Sequence, residues 1–178
     1  MKLSPRLLAV WKRILDRVPK AMIAFSPGNL SARQGYVNLC AAAGIAAERL
    51  TFIDPADSEA GNLARFDIID AVLDTFPYGG VNGTLEAVAA AKPLVALIGK
   101  KNQERTSYSI LSHLGVTETL AHTESQYVDI ASRLAMDAAR AAGFEGPLGA
   151  AARDTFARAV AAGLGDRDDA ALYRLLSE

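Results

Sequence analysis

Four short apolar runs and a weaker fifth alternate with amphipathic segments along the chain. Leu7, Leu8, Trp11, Ile14, Leu15 and Val18 recur at helical spacing. They predict a first helix with one apolar stripe, capped by Ser4, opened by Pro5 and closed by Pro19. Ala21–Phe25, Arg49–Ile53, Ala71–Thr75 and Pro93–Ile98 read as buried strands, and Thr119–Ala121 as a marginal one. Helices are expected from Leu30 to Ala43, over a short piece of Asp54–Asp70, from Gly83 to Ala91, and from Glu104 to Leu114. Gly44 and Gly115 end two of them. From Glu124 onward the chain is alanine-rich and helical, interrupted by "GFEGPLG" and "GLGD", and the closing "GDRDDAALYRLLSE" reads as a capped amphipathic helix. The strands are continuous apolar runs rather than alternating ones. That pattern predicts an α/β fold, a Rossmann-like parallel sheet with helices on both faces.

Composition narrows the function classes. The chain has 178 residues, 51% of them hydrophobic, and a formal net charge of −1. Neither nucleic acid nor an anionic membrane is expected as a partner at that charge. One cysteine, Cys40, and two histidines, His113 and His122, leave no disulfide framework and no Cys- or His-built metal centre. No apolar run reaches the roughly 20 residues of a membrane span, and the first residues lack the apolar core of a signal peptide. A cytoplasmic protein is the expectation.

In such sheets ligands sit beyond the carboxyl ends of the strands. The stretch "LDTFPYGGVNGTLEAV" leaves the third strand at that end. Gly79 and Gly80 let the backbone approach a ligand closely. Asn82, Gly83 and Thr84 lie near the start of the next helix, where backbone N–H groups have no intrahelical acceptor and favour a phosphate. Glu86, in the first turn of that helix, is placed to meet a ribose hydroxyl. The same residues also fit a plain N-cap, a dipole partner and a turn. Lys100 and Lys101 follow the fourth strand at its ligand end, within reach of a phosphate or simply solvated. Asp74 and Thr75 read as turn residues, and Tyr78, Trp11 and Cys40 as packing. His113 reads as a helix end, and His122 opens a helix start capped by Thr123 and Gln126.

With its flanks, this stretch resembles glycosyltransferase family 41, which contains the O-GlcNAc transferases, the Spindly-like proteins and the bacterial adhesin N-glucosyltransferases. "LDTFPYGGVNGTLEAV", "GKKNQERTSYSILSHLGV" and "LAHTESQYVDIASRLA" carry the likeness, supported by "KLSPRLLAVWKRILDRVP" and "ERLTFIDP". It runs from about Lys2 to about Leu134. The resemblance implies the carboxyl-terminal domain of a GT-B enzyme. Residues 1–134 would form a partial UDP-sugar-binding domain and 135–178 its helical extension. It implies a UDP-sugar donor, UDP-GlcNAc or UDP-glucose, whose diphosphate lies on Gly80, Asn82, Gly83 and Thr84. Glu86 would stand for the family's ribose-binding aspartate. Arg105, six positions after Gly99, matches the O-GlcNAc branch, and Asn82–Gly83 the N-glucosyl branch. Lys2 falls on the family lysine that stabilises the leaving diphosphate, the one catalytic residue implied. No metal is required if that lysine and the helix amides supply the positive potential. The acceptor would be a protein side chain, serine or threonine in one branch and asparagine in the other, reached by an inverting displacement.

The departures are equally specific. Where the family carries a lysine and a histidine facing the nucleotide, this chain has Glu59 and Asn62, and a carboxylate there works against a diphosphate. The chain begins at the family lysine. The resemblance therefore implies that the first, central strand and the amino-terminal domain, with the acceptor site, are missing, and that the isolated chain turns nothing over. The alternative is a non-catalytic nucleotide-binding remnant or interaction module of the same fold.

Overall fold

The computed structural model describes residues 3–26, 30–54 and 56–138. Lys2 and the expected tail helices beyond Ala138 lie outside the described residues. Helix α1 (Pro5–Arg17) forms as its sequence dictates. Ser4 Oγ accepts the Leu7 N–H at 3.2 Å, Pro5 takes the first turn, and Leu7, Leu8, Val10, Trp11, Ile14 and Leu15 are buried along one face. Strand β1 (Ile23–Phe25), α2 (Arg33–Ala42) and β2 (Leu50–Phe52) follow, with β1 and β2 paired in parallel. Next come α3 (Glu59–Ala64), β3 (Val72–Leu73), α4 (Val81–Ala89), β4 (Leu94–Leu97), α5 (Thr106–His113), β5 (Leu120–Ala121) and α6 (Glu124–Ala138). Strands β3, β4 and β5 form a second parallel sheet in that order. The strands are shorter than the apolar runs that announce them. The marginal fifth strand is real.

The first strand of the expected sheet would lie between β1 and β3. Among the described residues no strand joins the two sheets there. Side chains do. One core takes in α1, Ile23 and Phe25 of β1, Leu50 of β2, Val95 of β4, Ala121 of β5, and Tyr127, Val128 and Ala131 of α6. Phe25 stacks on Phe52 with centroids 5.6 Å apart, and Trp11 and Tyr36 pack on Phe25 at 6.1 and 5.0 Å. A second core under α4 and α5 gathers Phe66, Val88, Leu94 and Leu111.

Helix ends α2, α4 and α5 share one C-terminal geometry. The Gly44 N–H donates to Ala41 O and Ile45 N–H to Cys40 O. Gly115 and Val116 donate likewise to Ser112 and Leu111. Both glycines have positive φ, +77° and +73°. At the end of α4 the same pair of bonds, Ala91 N–H to Val88 O and Lys92 N–H to Ala87 O, is made with an alanine at φ +54°. The sequence reading carries α4 through Ala91, because alanine there looks like one more helical residue. The left-handed turn costs a Cβ-bearing residue about 1–2 kcal/mol, offset partly by the lower chain entropy of alanine. Ala91→Gly is therefore expected to raise unfolding stability by about 0.5–1 kcal/mol, measured by urea denaturation.

Candidate functional site

Strand β3 ends at Leu73, and Asp74 turns the chain. The Asp74 carboxylate gathers the loop that follows. Its Oδ1 accepts the N–H of Thr75 at 3.0 Å and of Gly80 at 3.2 Å, and its Oδ2 accepts the Ser107 hydroxyl at 2.6 Å. Thr75 Oγ1 donates to Tyr78 O at 2.6 Å. Phe76 takes the buried place in the loop, with its ring 5.5 Å from that of Tyr127. Tyr78 is consequently 53% exposed, which corrects the expectation that it packs.

Helix α4 begins at Val81 with Gly80 as its N-cap, two residues before the expected start at Gly83. A glycine N-cap has no side chain to lend, and no side chain caps this helix. The Gly80 N–H is taken by Asp74, so the amides of Val81, Asn82 and Gly83 are those that the helix itself leaves unanswered. All three residues are exposed. An added Cβ on Gly83 would meet nothing within 4 Å, so this face of the turn is open. The first turn also holds no acidic residue that would repel an anion.

Thr84 stands differently. Its side chain is wholly buried, its hydroxyl donates to Gly80 O at 2.5 Å, and it lies 2.8 Å from Ser107 Oγ. Thr84 thus braces the turn from below rather than offering a hydroxyl to a ligand. Glu86 lies on the next turn and pairs with the Arg65 guanidinium, which also stacks on Phe66. Arg105 folds back on its own loop, donating from Nη1 to Gly99 O at 3.2 Å with its guanidinium 4.3 Å from the centre of the Tyr108 ring. Lys100 is exposed, and its backbone N–H donates to Glu104 Oε2 at 2.9 Å. That bond and a second from Lys101 N–H hold the Glu104 carboxyl below the usual glutamate range. Gly99 is required in this loop, since a Cβ there would come within 2.2 Å of Glu104 Cβ.

Lys100 and Glu104 line a cavity of about 370 Å³ beyond the carboxyl ends of β4 and β5, together with Arg6, Phe76, His122 and Glu124. Thr123 Oγ1 accepts the Gln126 N–H and Gln126 Oε1 accepts the His122 N–H, so α6 is capped from within as its sequence predicts. Asn62 Oδ1 accepts the Ala56 N–H at 3.4 Å and closes the loop ahead of α3, which Glu59 opens. Tyr127 is fully buried between α1 and β3. It accepts from Trp11 Nε1 at 3.4 Å and donates to Asp74 O at 2.9 Å, and burial pushes its phenol well above the usual tyrosine range. Sequence reasoning misses Arg65, Ser107 and Tyr127, whose partners lie far along the chain. Among the described residues no group of three or more His, Cys, Asp or Glu side chains is arranged to hold a metal ion. No helix among them is long and apolar enough to cross a membrane.

The family model for glycosyl transferase family 41 matches residues 1–148. The chain belongs to glycosyltransferase family 41. Among the family 41 relatives, a probable UDP-N-acetylglucosamine–peptide N-acetylglucosaminyltransferase SPINDLY of Petunia hybrida is 30% identical over 139 residues. The match takes in 76% of this chain and 15% of that protein. The UDP-N-acetylglucosamine–peptide N-acetylglucosaminyltransferase of Caenorhabditis elegans is 29% identical over 137 residues, 77% of this chain and 12% of that one. A solved structure of a mutant Thermobaculum terrenum O-GlcNAc transferase superposes with a TM-score of 0.73 at 26% identity, covering 99% of this chain and 33% of that one. The chain therefore spans a small part of the family 41 relatives it matches. Its α/β fold of parallel strands and flanking helices is the one this structure shares.

Proposed function

We propose that this chain is the donor-binding part of a UDP-sugar-dependent protein glycosyltransferase. The observation that carries the reading is the uncapped, exposed first turn of α4 at the carboxyl end of β3. Its amides and helix dipole form a site for the donor diphosphate, with Asn82 and Gly83 contributing N–H groups. Gly80 and Thr84 shape the turn. Lys100, Arg105 and Lys2 supply cationic heads around the leaving group, and Lys2 acts on the charge that develops as the glycosyl bond breaks. Helix amides and lysine do the work of a metal ion, so none is needed. The acceptor protein side chain is presented by a separate amino-terminal domain. The names of the relatives support UDP-GlcNAc as the donor class and peptide as the acceptor class.

A second reading, a nucleotide-binding remnant without turnover, is favoured by two contacts. Glu86 is engaged by Arg65 and Arg105 by Gly99, so both must exchange partners to meet a ribose or a phosphate.

Calorimetric titration with UDP decides whether the donor site exists. Saturable binding of one UDP per chain, equal with magnesium and with EDTA, is the expected result. At 100 times the dissociation constant, UDP should add about 2.7 kcal/mol to the unfolding free energy. No binding at millimolar UDP would overturn the donor reading. Transfer from a UDP-sugar to peptide by the chain joined to an amino-terminal family 41 domain would exclude the remnant.

A further inference from the structure

The glycine turn that leads into α4 is held by side chains from three elements. Asp74, at the end of β3, accepts the N–H groups of Thr75 and Gly80 on one carboxylate oxygen and the Ser107 hydroxyl on the other. Ser107, in the first turn of α5, lies 2.8 Å from the Thr84 hydroxyl, which donates to the Gly80 carbonyl. Ser107 and Thr84 are 2% and 0% exposed, so this chain of polar groups runs beneath the turn and away from solvent. Both backbone groups of the N-cap residue are therefore clamped by side chains. A Cβ on Gly79 would come within 2.8 Å of Asp74 Oδ2 and 3.1 Å of Ser107 Oγ, so the turn is drawn tight against the pair.

That arrangement has a consequence for binding. A glycine N-cap leaves the α4 amides for an outside acceptor but does nothing to fix their direction. Asp74 satisfies the one amide, that of Gly80, that would otherwise compete, and anchors the turn to the sheet. The fixed direction of the remaining amides lowers the reorganisation cost of seating an anion. We propose that Asp74 and Ser107 are positioning residues of the nucleotide site, holding the Gly79–Gly80 turn so that the α4 amides are preset for a diphosphate. The inference rests on the donor reading of that site. It assigns roles to the buried Ser107 and the half-buried Asp74.

The test uses the 178-residue chain with Asp74→Ala, Asp74→Asn and Ser107→Ala. The readout is a split between two ligands, UDP and uridine, which share the nucleoside and differ in the diphosphate. Asp74→Ala is expected to weaken UDP by about tenfold or more and leave uridine within about twofold, the signature of lost amide positioning. Ser107→Ala should show the same split to a smaller degree. Asp74→Asn, which keeps an acceptor for the two N–H groups, should recover part of the loss. Equal weakening of both ligands, or unchanged UDP affinity in a folded Asp74→Ala chain, would overturn the proposal. Amide hydrogen exchange without ligand makes it answerable apart from the donor reading. Exchange at Thr75 and Gly80, the two amides that Asp74 accepts, should quicken about tenfold in Asp74→Ala while β4 and α1 stay protected. Unchanged protection of those two amides would overturn the positioning role. A wild type that binds UDP no better than uridine would instead defeat the donor reading.

Discussion

Trp11→Ala is expected to cost about 4 kcal/mol of unfolding free energy, a large share of the roughly 5–15 kcal/mol that holds a domain together. Trp11 is 4% exposed on α1, packs on the first sheet at Phe25 and reaches the end of β3 only through Tyr127 of α6. Its ring packs 6.1 Å from that of Phe25 on β1, and its Nε1 donates to the Tyr127 hydroxyl, which donates to Asp74 O beyond β3. With no strand pairing the two sheets among the described residues, this side chain is one of the core groups that connect them. Its truncation leaves a cavity and removes one of the two hydrogen bonds of the Tyr127 hydroxyl. Trp11→Phe keeps most of the ring volume and loses only the donor, for an expected cost of about 1–2 kcal/mol. Denaturation followed by circular dichroism is the suitable measurement, because Trp11 is the single tryptophan and its fluorescence goes with it. A cost below about 1 kcal/mol for the alanine variant would show that the sheets are held by other contacts.

Arg49→Ala is expected to cost about 2–3 kcal/mol. Arg49 precedes β2, and its guanidinium donates to three carbonyls: from Nε to Ala21 O at 2.8 Å, and from Nη2 to Val18 O at 3.0 Å and Leu15 O at 3.2 Å. Two of these, Leu15 and the C-cap Val18, lie at the C-terminal end of α1, where the helix dipole favours a cation. The third opens the approach to β1. One planar side chain thus ties α1, β1 and β2. Lysine presents a compact ammonium rather than a fork and cannot span the same three acceptors. Arg49→Lys should therefore recover less than half of the loss. Urea denaturation curves of the three proteins at equal slope would measure it. Full recovery by lysine would show that charge alone, and not the fork, supplies the stabilisation.

Much of the fold is legible in the sequence because its punctuation is local. Ser4 with Pro5, Thr123 with Gln126, and the glycines at 44 and 115 each mark a helix end through a partner within a few residues. The start of α4 is not legible in that way. Its cap is a glycine, which leaves no side-chain signature, so the helix looks to begin at Gly83 when it begins at Val81. Ala91 hides the end of the same helix, since its left-handed φ is supplied by the surrounding turn and not by its residue type. The site's supports are hidden for a different reason. Ser107 meets Asp74 across 33 positions and Arg65 meets Glu86 across 21, and no local period predicts either pairing. The resemblance to family 41 points to this turn, and it speaks of contacts to a ligand. It is silent on which side chains hold the turn, and so the buried Thr84 hydroxyl beneath Gly80 is not foreseen.

Amide chemical shifts during a UDP titration in EDTA test the central claim most directly, because they report on the very N–H groups assigned to the diphosphate. Saturable shifts are expected, largest at Val81, Asn82 and Gly83 and much smaller when uridine replaces UDP. Shifts that leave those three amides unmoved, or that are the same for UDP and uridine, would contradict it.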